Sequence, residues 1–422
     1  MSLHSLATLV GDDDGRSLAR ALGEYVDIDT PYGPLVSSIP CPHADGTGVF
    51  EWPIANPFAL LWVICQRNPV YADFIKECVG ERPLGRLMLY NDGTTPGGQI
   101  VNWRNREITC WYWTFADFPG WFRKRENGGW LPLGVMRTDV QKQVAGDLSG
   151  VAGHVLRLFF EGSFNCVDGI LLPLKGGGSY RLRLELAAFM QDGLAHKQTS
   201  SIKGAGGLIC CPNCTNIMNT DPAKIESDPD MHHYSTAKPK DFKSQSHELF
   251  YFNCDRLMES HGRVHPKTFE LMEKSFGITF DPASLVYEKA LRRFYSVTDH
   301  TYNDPMHMLV ASGGVGQFEI NAFLLHAQQE HNLDLQWVDQ FSTSCSNVGT
   351  QRLQKQFFSN RHMCKTKMKH GMACPHAFIH HFHISLLHII LLYTLVVNPI
   401  DSYSPDYKGE PESWQPHKSF CQ

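Results

Sequence analysis

The sequence predicts an α/β protein centred on a mixed β-sheet, with a cysteine-containing insertion and a mostly helical C-terminal part behind it. Three observations predict this. Between Gly85 and Asp192, segments dense in β-branched and aromatic residues are joined by short glycine-bearing connections. One stretch among them repeats its apolar residues at helical spacing. The first and last strand-like segments each run directly into an aspartate, Asp92 and Asp192.

Residues 1–84 read as a lead-in. Gly, Pro and Asp signals up to Pro42 surround one short helical candidate, 17–25, so a loosely ordered start is expected. The runs 57–66 and 71–79 have helical character and predict a small helical element ahead of the sheet. Residues 85–200 form the front half of the core. Arg86 opens Arg-Leu-Met-Leu-Tyr-Asn-Asp, a buried strand, and the cluster from Gly93 to Gly98 must turn, which puts Asp92 at a strand's carboxyl end. Residues 108–118 predict a second strand, and 130–136, after Asn127-Gly128-Gly129, a third, making a meander. Asp139 is expected to cap a helix reaching Phe160, on which Val140, Val144, Leu148, Val151, Val155, Leu158 and Phe159 recur. Residues 170–174 and 180–190 are strand-like on either side of Gly176-Gly177-Gly178. The stretch 184–190 is open to a helical alternative, because Glu185, Leu186, Ala187 and Ala188 favour that state.

Three strands, a helix and a further strand, with an acid ending the first strand and the last, is the order of a ribonuclease-H-like fold. Carboxylates held on strand ends suit two-metal phosphoryl transfer, because both must reach the same divalent ions without moving. Aspartates also end strands for no reason beyond turn formation, and the pattern alone leaves both readings open.

The insertion, 201–300, carries Cys210-Cys211-Pro212-Asn213-Cys214 after Gly204-Ala205-Gly206-Gly207. Cys-x-x-Cys on a Pro-Asn turn lets two thiolates converge on one tetrahedral Zn²⁺, but supplies half a site. His232, His233, Cys254, His261, His265 and His307 are the candidates for the remaining ligands, and Cys210 is an alternative to Cys211. A redox role is weaker, because no strand-to-helix context of the thioredoxin kind surrounds the motif.

Composition sets bounds on function. A chain of 422 residues with 42% hydrophobic and 19% charged residues has the make-up of a folded protein with a sizeable core. A formal net charge of -5 excludes a globally basic surface, so any nucleic-acid contact needs a local groove. Arg104-Asn105-Arg106, Arg123-Lys124-Arg125, the run 238–243 and Arg292-Arg293 are the basic candidates. Thirteen cysteines without regular spacing do not make a disulfide framework, and the N-terminus lacks the basic and long apolar regions of a secretory signal. A nuclear or cytoplasmic protein is therefore expected.

Four passages together resemble the transposases of cut-and-paste DNA transposons of the CACTA-like group, and more closely their Plavaka-like or Kyakuja-Dileera-Zisupton relatives. They are Tyr90-Asn91-Asp92-Gly93-Thr94-Thr95-Pro96-Gly97 with the strand around Trp111-Tyr112-Trp113; Phe189-Met190-Gln191-Asp192-Gly193-Leu194-Ala195-His196-Lys197; Gly204 to Gly207 through Cys211-Pro212-Asn213-Cys214; and Asp304-Pro305-Met306-His307. The resemblance covers roughly residues 85–330 and has the look of a degenerate or truncated copy. It implies Asp92 and Asp192 as ligands of Mg²⁺ or Mn²⁺, Cys211 and Cys214 as half of a zinc knuckle with His307 among the candidate metal ligands, transposon-end DNA as partner, and room for a homo-oligomer. Relatives place a Glu close to the Asp-x-Met-His signature. Here Met308, Leu309, Val310, Ala311 and Ser312 follow instead, so the third acid falls to Glu319 on the amphipathic run 318–327, or to Asp304.

Residues 301–335 would complete the core, and 336–422 form an atypical tail. Within it, 378–397 is uncharged and long enough to cross a bilayer. Its histidines His380, His381, His383 and His388 argue against a span, and a decayed end is the favoured explanation. The irregular Cys and His residues from Cys364 to His383 do not form a recognisable metal motif. Two function classes follow: a two-metal nuclease of the transposase kind, active or not, and a non-catalytic, zinc-stabilised DNA- or protein-binding module on the same core. A membrane-anchored protein rests on the tail alone.

Overall fold

The computed structural model describes residues 28–94, 107–124, 129–220, 229–234, 236–303, 326 and 328–330. The chain divides into two units, Met1–Met308 and Leu309–Gln422. Of the second, only the helical residues 326 and 328–330 are described. The helical candidate at 17–25, the Asp304 to His307 signature, Glu319 and the tail from 336 lie outside the described residues.

The first unit opens with two strands that sequence patterning hides. β1 (Val36–Pro42) and β2 (Val49–Ala55) pair antiparallel. Ile39, Cys41, Trp52 and Ile54 point inward at period two, so this part of the expected loose lead-in is instead sheet. Pro40, Pro42 and Pro53 disguise it; β1 is the sheet's edge, where proline costs little because its missing N–H has no ladder partner to satisfy.

α1 (Pro57–Arg67) and α2 (Pro69–Val79) follow as predicted. Asn56 caps α1 by accepting from the Phe58 and Ala59 amides, and Pro57 fits the first turn, where no N–H is needed. β3 (Gly85–Thr94), β4 (Ile108–Phe115) and β5 (Leu131–Arg137) form the antiparallel meander, with the one-turn α3 (Gly120–Arg123) between the last two.

The helix expected from Asp139 to Phe160 is two helices, α4 (Thr138–Gln141) and α5 (Asp147–Phe160). Gly146 breaks the run: it takes a left-handed φ of 77° and lies against the Ala283 carbonyl, a conformation and a closeness that a side chain would oppose. Asp139 does not cap α5; its carboxylate pairs with Arg137 at 2.6 Å.

β6 (Ile170–Pro173) and β7 (Ser179–Leu182) make a separate two-stranded sheet, and β8 (Leu184–Gln191) enters the main one, so the strand expected over 180–190 is divided at Arg183. The helical alternative for 184–190 is not adopted. α6 (Gly193–Thr199), the short parallel pair β9 (Ile217–Met218) and β10 (His232–His233), α7 (His247–Ser260), α8 (Pro266–Phe276), α9 (Val297–His300) and β11 (Thr301–Asn303) complete the unit.

The main sheet has seven strands in the order β1-β2-β5-β4-β3-β8-β11, mixed because β3, β8 and β11 run parallel while their neighbours on the other side alternate. One face packs on α1 and α5 through Leu87, Leu89, Trp111, Trp113 and Phe115, with Phe159 wedged against Trp113 and Phe58 at ring separations of 5.7 and 5.9 Å. Each such large side chain contributes about 1.5–3 kcal/mol by leaving water. This face anchors the sheet. Among the described residues no helix is long and apolar enough to cross a membrane.

Candidate active site

The parallel pairing of β3 with β8 brings together the two strands that lead to the predicted acids. Their register runs Gly85↔Leu184 to Leu87↔Leu186, shifts by one residue, and resumes as Met88↔Ala188 to Tyr90↔Met190. Ala187 is thus an extra, unpaired residue in β8, a bulge. The pairing ends at Tyr90↔Met190, and Asp92 and Asp192 each lie two residues further along their segments. Alternation along β3 puts Asp92 on the face of Tyr90, and Asp192 is the first residue after β8, while Asn91 and Gln191 turn to the other face and bond to each other at 2.9 Å. Asp92 lies two residues before the end of β3, because the strand continues through Gly93 and Thr94 rather than turning at once.

Asp192 caps α6, its carboxylate accepting from the Ala195 amide at 2.6 Å. One oxygen is therefore committed to holding the helix. One turn on, His196 is 4% exposed and its Nε2 donates to the Tyr302 carbonyl at 2.7 Å, tying α6 to β11. Burial holds this imidazole below the usual histidine range, against the opposing pull of the Tyr302 carbonyl and the Asp192 charge. The ring is accordingly neutral, which suits a buried Nδ1 that has no hydrogen-bond partner among the described residues.

On the other side, Asp92 faces Cys110 and Tyr112 of β4. Burial pushes both of these groups up, and the Asp92 charge adds to the rise. Tyr90 stacks on Tyr112 at 6.3 Å and leans on Trp130 at 5.7 Å, so half-buried aromatic rings border the acids. Of the basic candidates, Arg123 sits on this face, its guanidinium 3.6 Å from Met88 Sδ. Arg292 instead grips Asp255 through two hydrogen bonds of 2.8 and 2.9 Å, and Arg293 pairs with Glu161 at 3.5 Å, so both serve the insertion's packing. Lys243 pairs with Asp230. Arg104, Arg106 and Arg125 lie outside the described residues.

The third acid candidates, Asp304 and Glu319, lie outside the described residues, as does His307. β11 pairs parallel with β8 up to Asn303↔Gln191, and Asp304 is the next residue in the sequence.

At the cysteine motif, the Cys214 amide reaches the Cys211 carbonyl at 3.4 Å and the two thiols share a hydrogen bond. That bond holds Cys211 well below the usual thiol range and pushes Cys214 up. Cys210 turns its sulfur to the Ile217 carbonyl at 3.7 Å. Several candidate partners have other employment. Cys254 is fully buried in α7, where burial pushes it up to about 12. His261 stacks on Phe280 at 4.5 Å, and His265 caps α8. Among the described residues no group of three or more His, Cys, Asp or Glu side chains is placed to hold a metal.

Sequence reasoning missed the amide layer behind the acids. Asn91 and Gln191 are 1% and 0% exposed. The signal was available: each interrupts an apolar strand at an inward position, immediately before its aspartate. Leaving a buried polar group unbonded costs about 1–3 kcal/mol, so polar residues at such positions need an explanation.

No protein-family model matches the chain, and no curated protein matches it.

Proposed function

We propose that the chain is a transposase-like protein on a ribonuclease-H-like core, whose Asp92 and Asp192 hold Mg²⁺ or Mn²⁺ for cleavage and transfer of DNA strands. The observation that supports this is the parallel β3–β8 register with the Asn91–Gln191 bond, which aligns the two strands up to the residues directly before two acids distant in sequence. Three antiparallel strands, a helical segment and a strand returning beside the first support the same reading. The donor set fits the ions, because hard divalent cations take carboxylate oxygens from few protein ligands.

Bound there, such ions would activate water or a 3′-hydroxyl and stabilise the leaving oxygen at the scissile phosphate. Asp92 would ligate from a rigid strand. Asp192 would use the oxygen not engaged by Ala195, with α6 fixing its orientation. Asp304 or Glu319 would supply the third carboxylate. Arg123, beside Met88 on β3, would be the basic side chain to meet a backbone phosphate. Cys211 and Cys214 would supply half of a Zn²⁺ site in the insertion, and the shared proton between their sulfurs would leave on metal binding. Assembly as a homo-oligomer on two DNA ends belongs to the same proposal.

A second function, a non-catalytic zinc-stabilised module binding DNA or protein, draws on the paired thiols and the net charge of -5. Incubating the full chain with duplex DNA carrying terminal inverted repeats of the transposon kind separates the two. Mg²⁺- or Mn²⁺-dependent strand cleavage that Asp92→Ala abolishes supports the nuclease; binding to that DNA without cleavage in either metal supports the module.

A further inference from the structure

We propose that Gln191 is a positioning residue for the acid pair, locking from behind the sheet the register that sets Asp92 beside Asp192. The inference rests on the proposed metal-binding role of those acids for its functional consequence, and on the register alone for its structural one.

Gln191 Nε2 donates twice, to Asn91 Oδ1 at 2.9 Å and to Thr199 Oγ1 at 2.7 Å. The first bond crosses from β8 to β3 at the residues directly before the two acids. The second closes the chain on itself, since Gln191 directly precedes Asp192 and Thr199 is the last residue of α6. Asp192 therefore sits in a nine-residue loop closed at its base, 191 to 199. Thr199 is anchored in turn: its carbonyl accepts from Ser149 Oγ of α5 at 2.6 Å, and the Leu285 amide donates to that hydroxyl at 2.9 Å. A buried polar chain thus runs from β3 through β8 and α6 into α5. All four side chains are at most 2% exposed.

This layer is not what a core optimised for stability would contain. Gln191 Oε1 and Asn91 Nδ2 are buried with no hydrogen-bond partner among the described residues, so an apolar pair of similar volume would hold the sheet as well or better. What an apolar pair would not do is choose a register. The buried apolar alternation sets the register over the body of the strands, and a directed amide bond extends it to their ends, fixing which residue faces which directly before the acids. A polar group retained at a cost in stability is best attested where it fixes register.

The test uses the full chain carrying Gln191→Met, with Thr199→Val as a second variant that removes only the acceptor hydroxyl. Mg²⁺ affinity by titration calorimetry is expected to fall about 10–100-fold in Gln191→Met, as it does when groups behind metal ligands are lost, while the thermal midpoint in EDTA holds or rises. Backbone amide exchange without metal is expected to quicken about tenfold at 90–94 and 190–195 in both variants, and to stay unchanged in β4 and β5. A purely space-filling role would leave affinity and local exchange as in the parent chain, and that result overturns the proposal. If the parent chain itself takes up no Mg²⁺, the metal-binding reading of the acids fails, and the exchange data alone decide whether Gln191 sets the register. Should Gln191→Met not fold, Asn91→Leu, which removes the cross-strand acceptor, decides both readouts.

Discussion

Asp192 is given two tasks, capping α6 and holding a cation, and substitution separates them. Its carboxylate accepts from the Ala195 amide at 2.6 Å. Removing a cap of this kind costs about 1 kcal/mol, within a range of about 0.5–2, whereas a serine hydroxyl satisfies the same donor. In EDTA, Asp192→Ala should therefore melt about 2–4 °C below the parent chain, and Asp192→Ser close to it. Mg²⁺ at a hundred times its dissociation constant stabilises a folded protein by about 2.7 kcal/mol. The parent chain should then gain about 5–10 °C on adding Mg²⁺. Neither variant should gain it, because neither keeps the carboxylate. Differential scanning fluorimetry with and without Mg²⁺ reads both effects in one plate. A serine variant that keeps the Mg²⁺ gain, or an alanine variant as stable as the serine one in EDTA, would refute the division of labour.

Three further outcomes are expected. A Cβ on Gly134 would sit 2.9 Å from Trp52 Cζ2, and Trp52 is fully buried and tied by Nε1 to the Val135 carbonyl at 3.0 Å, so Gly134→Ala should cost about 1–3 kcal/mol in urea denaturation. Burial holds His154, His196 and His300 below 6.5, so the unfolded chain takes up protons first and stability should fall as pH drops below about 6.5; the urea midpoint should be lower at about pH 5.5 than at about pH 7.5. This window is separate from the acid limb of carboxylates such as Asp255, which Arg292 holds low and whose contribution is lost only below about pH 4. At neutral pH, iodoacetamide should modify Cys211 ahead of Cys210 and Cys214, and Zn²⁺ should protect Cys211 and Cys214 together, as read by peptide mass spectrometry.

Where residue chemistry acts locally, the sequence was legible. Pro57 and Pro69 opening two helices, the aromatic density of β4 and the polar turn before β5 all give their elements directly. Where long-range packing decides, it was not. β1 and β2 alternate correctly but carry prolines, of which Pro40 and Pro42 are excused by the edge position of β1. The break at Gly146 depends on the Ala283 carbonyl, a partner far along the chain. Asp192 was legible as a strand end and Asp92 was not, since β3 runs on through Thr94, and the alignment of the two strands needed β8 to pair with β3 rather than with any other strand. Nothing in the zinc motif's own spacing shows that Cys254, His261 and His265 are engaged elsewhere, because their partners are core packing, ring stacking and a helix cap.

The bulge explains both the ambiguity of 184–190 and the alignment of the acids. On β8 the inward residues are Leu184 and Leu186, then Phe189 and Gln191, so the alternation changes phase between Leu186 and Phe189. A strand that changes phase loses its period-two signature, which is why helix formers there suggested a helix. Were Ala187 an ordinary paired residue, Asp92 would face Gln191 and Asp192 would point to the opposite side of the sheet. The bulge absorbs one residue and aligns Asn91 with Gln191, the residues directly before the two acids. Removing one of the adjacent alanines, Ala187 or Ala188, should therefore leave a regular strand with Leu87↔Leu186 followed directly by the Met88 pairing and the acids still aligned. Deletions in central strands ordinarily destroy a fold, since every later side chain changes face. Here the expected result is a folded protein that keeps its Mg²⁺-dependent rise in melting temperature, with deletion of the paired Leu89 in β3 as the disruptive control. An alanine deletion that unfolds the chain as Leu89 deletion does would show that the extra residue is part of the pairing, and the alignment of Asp92 with Asp192 would have to be drawn differently.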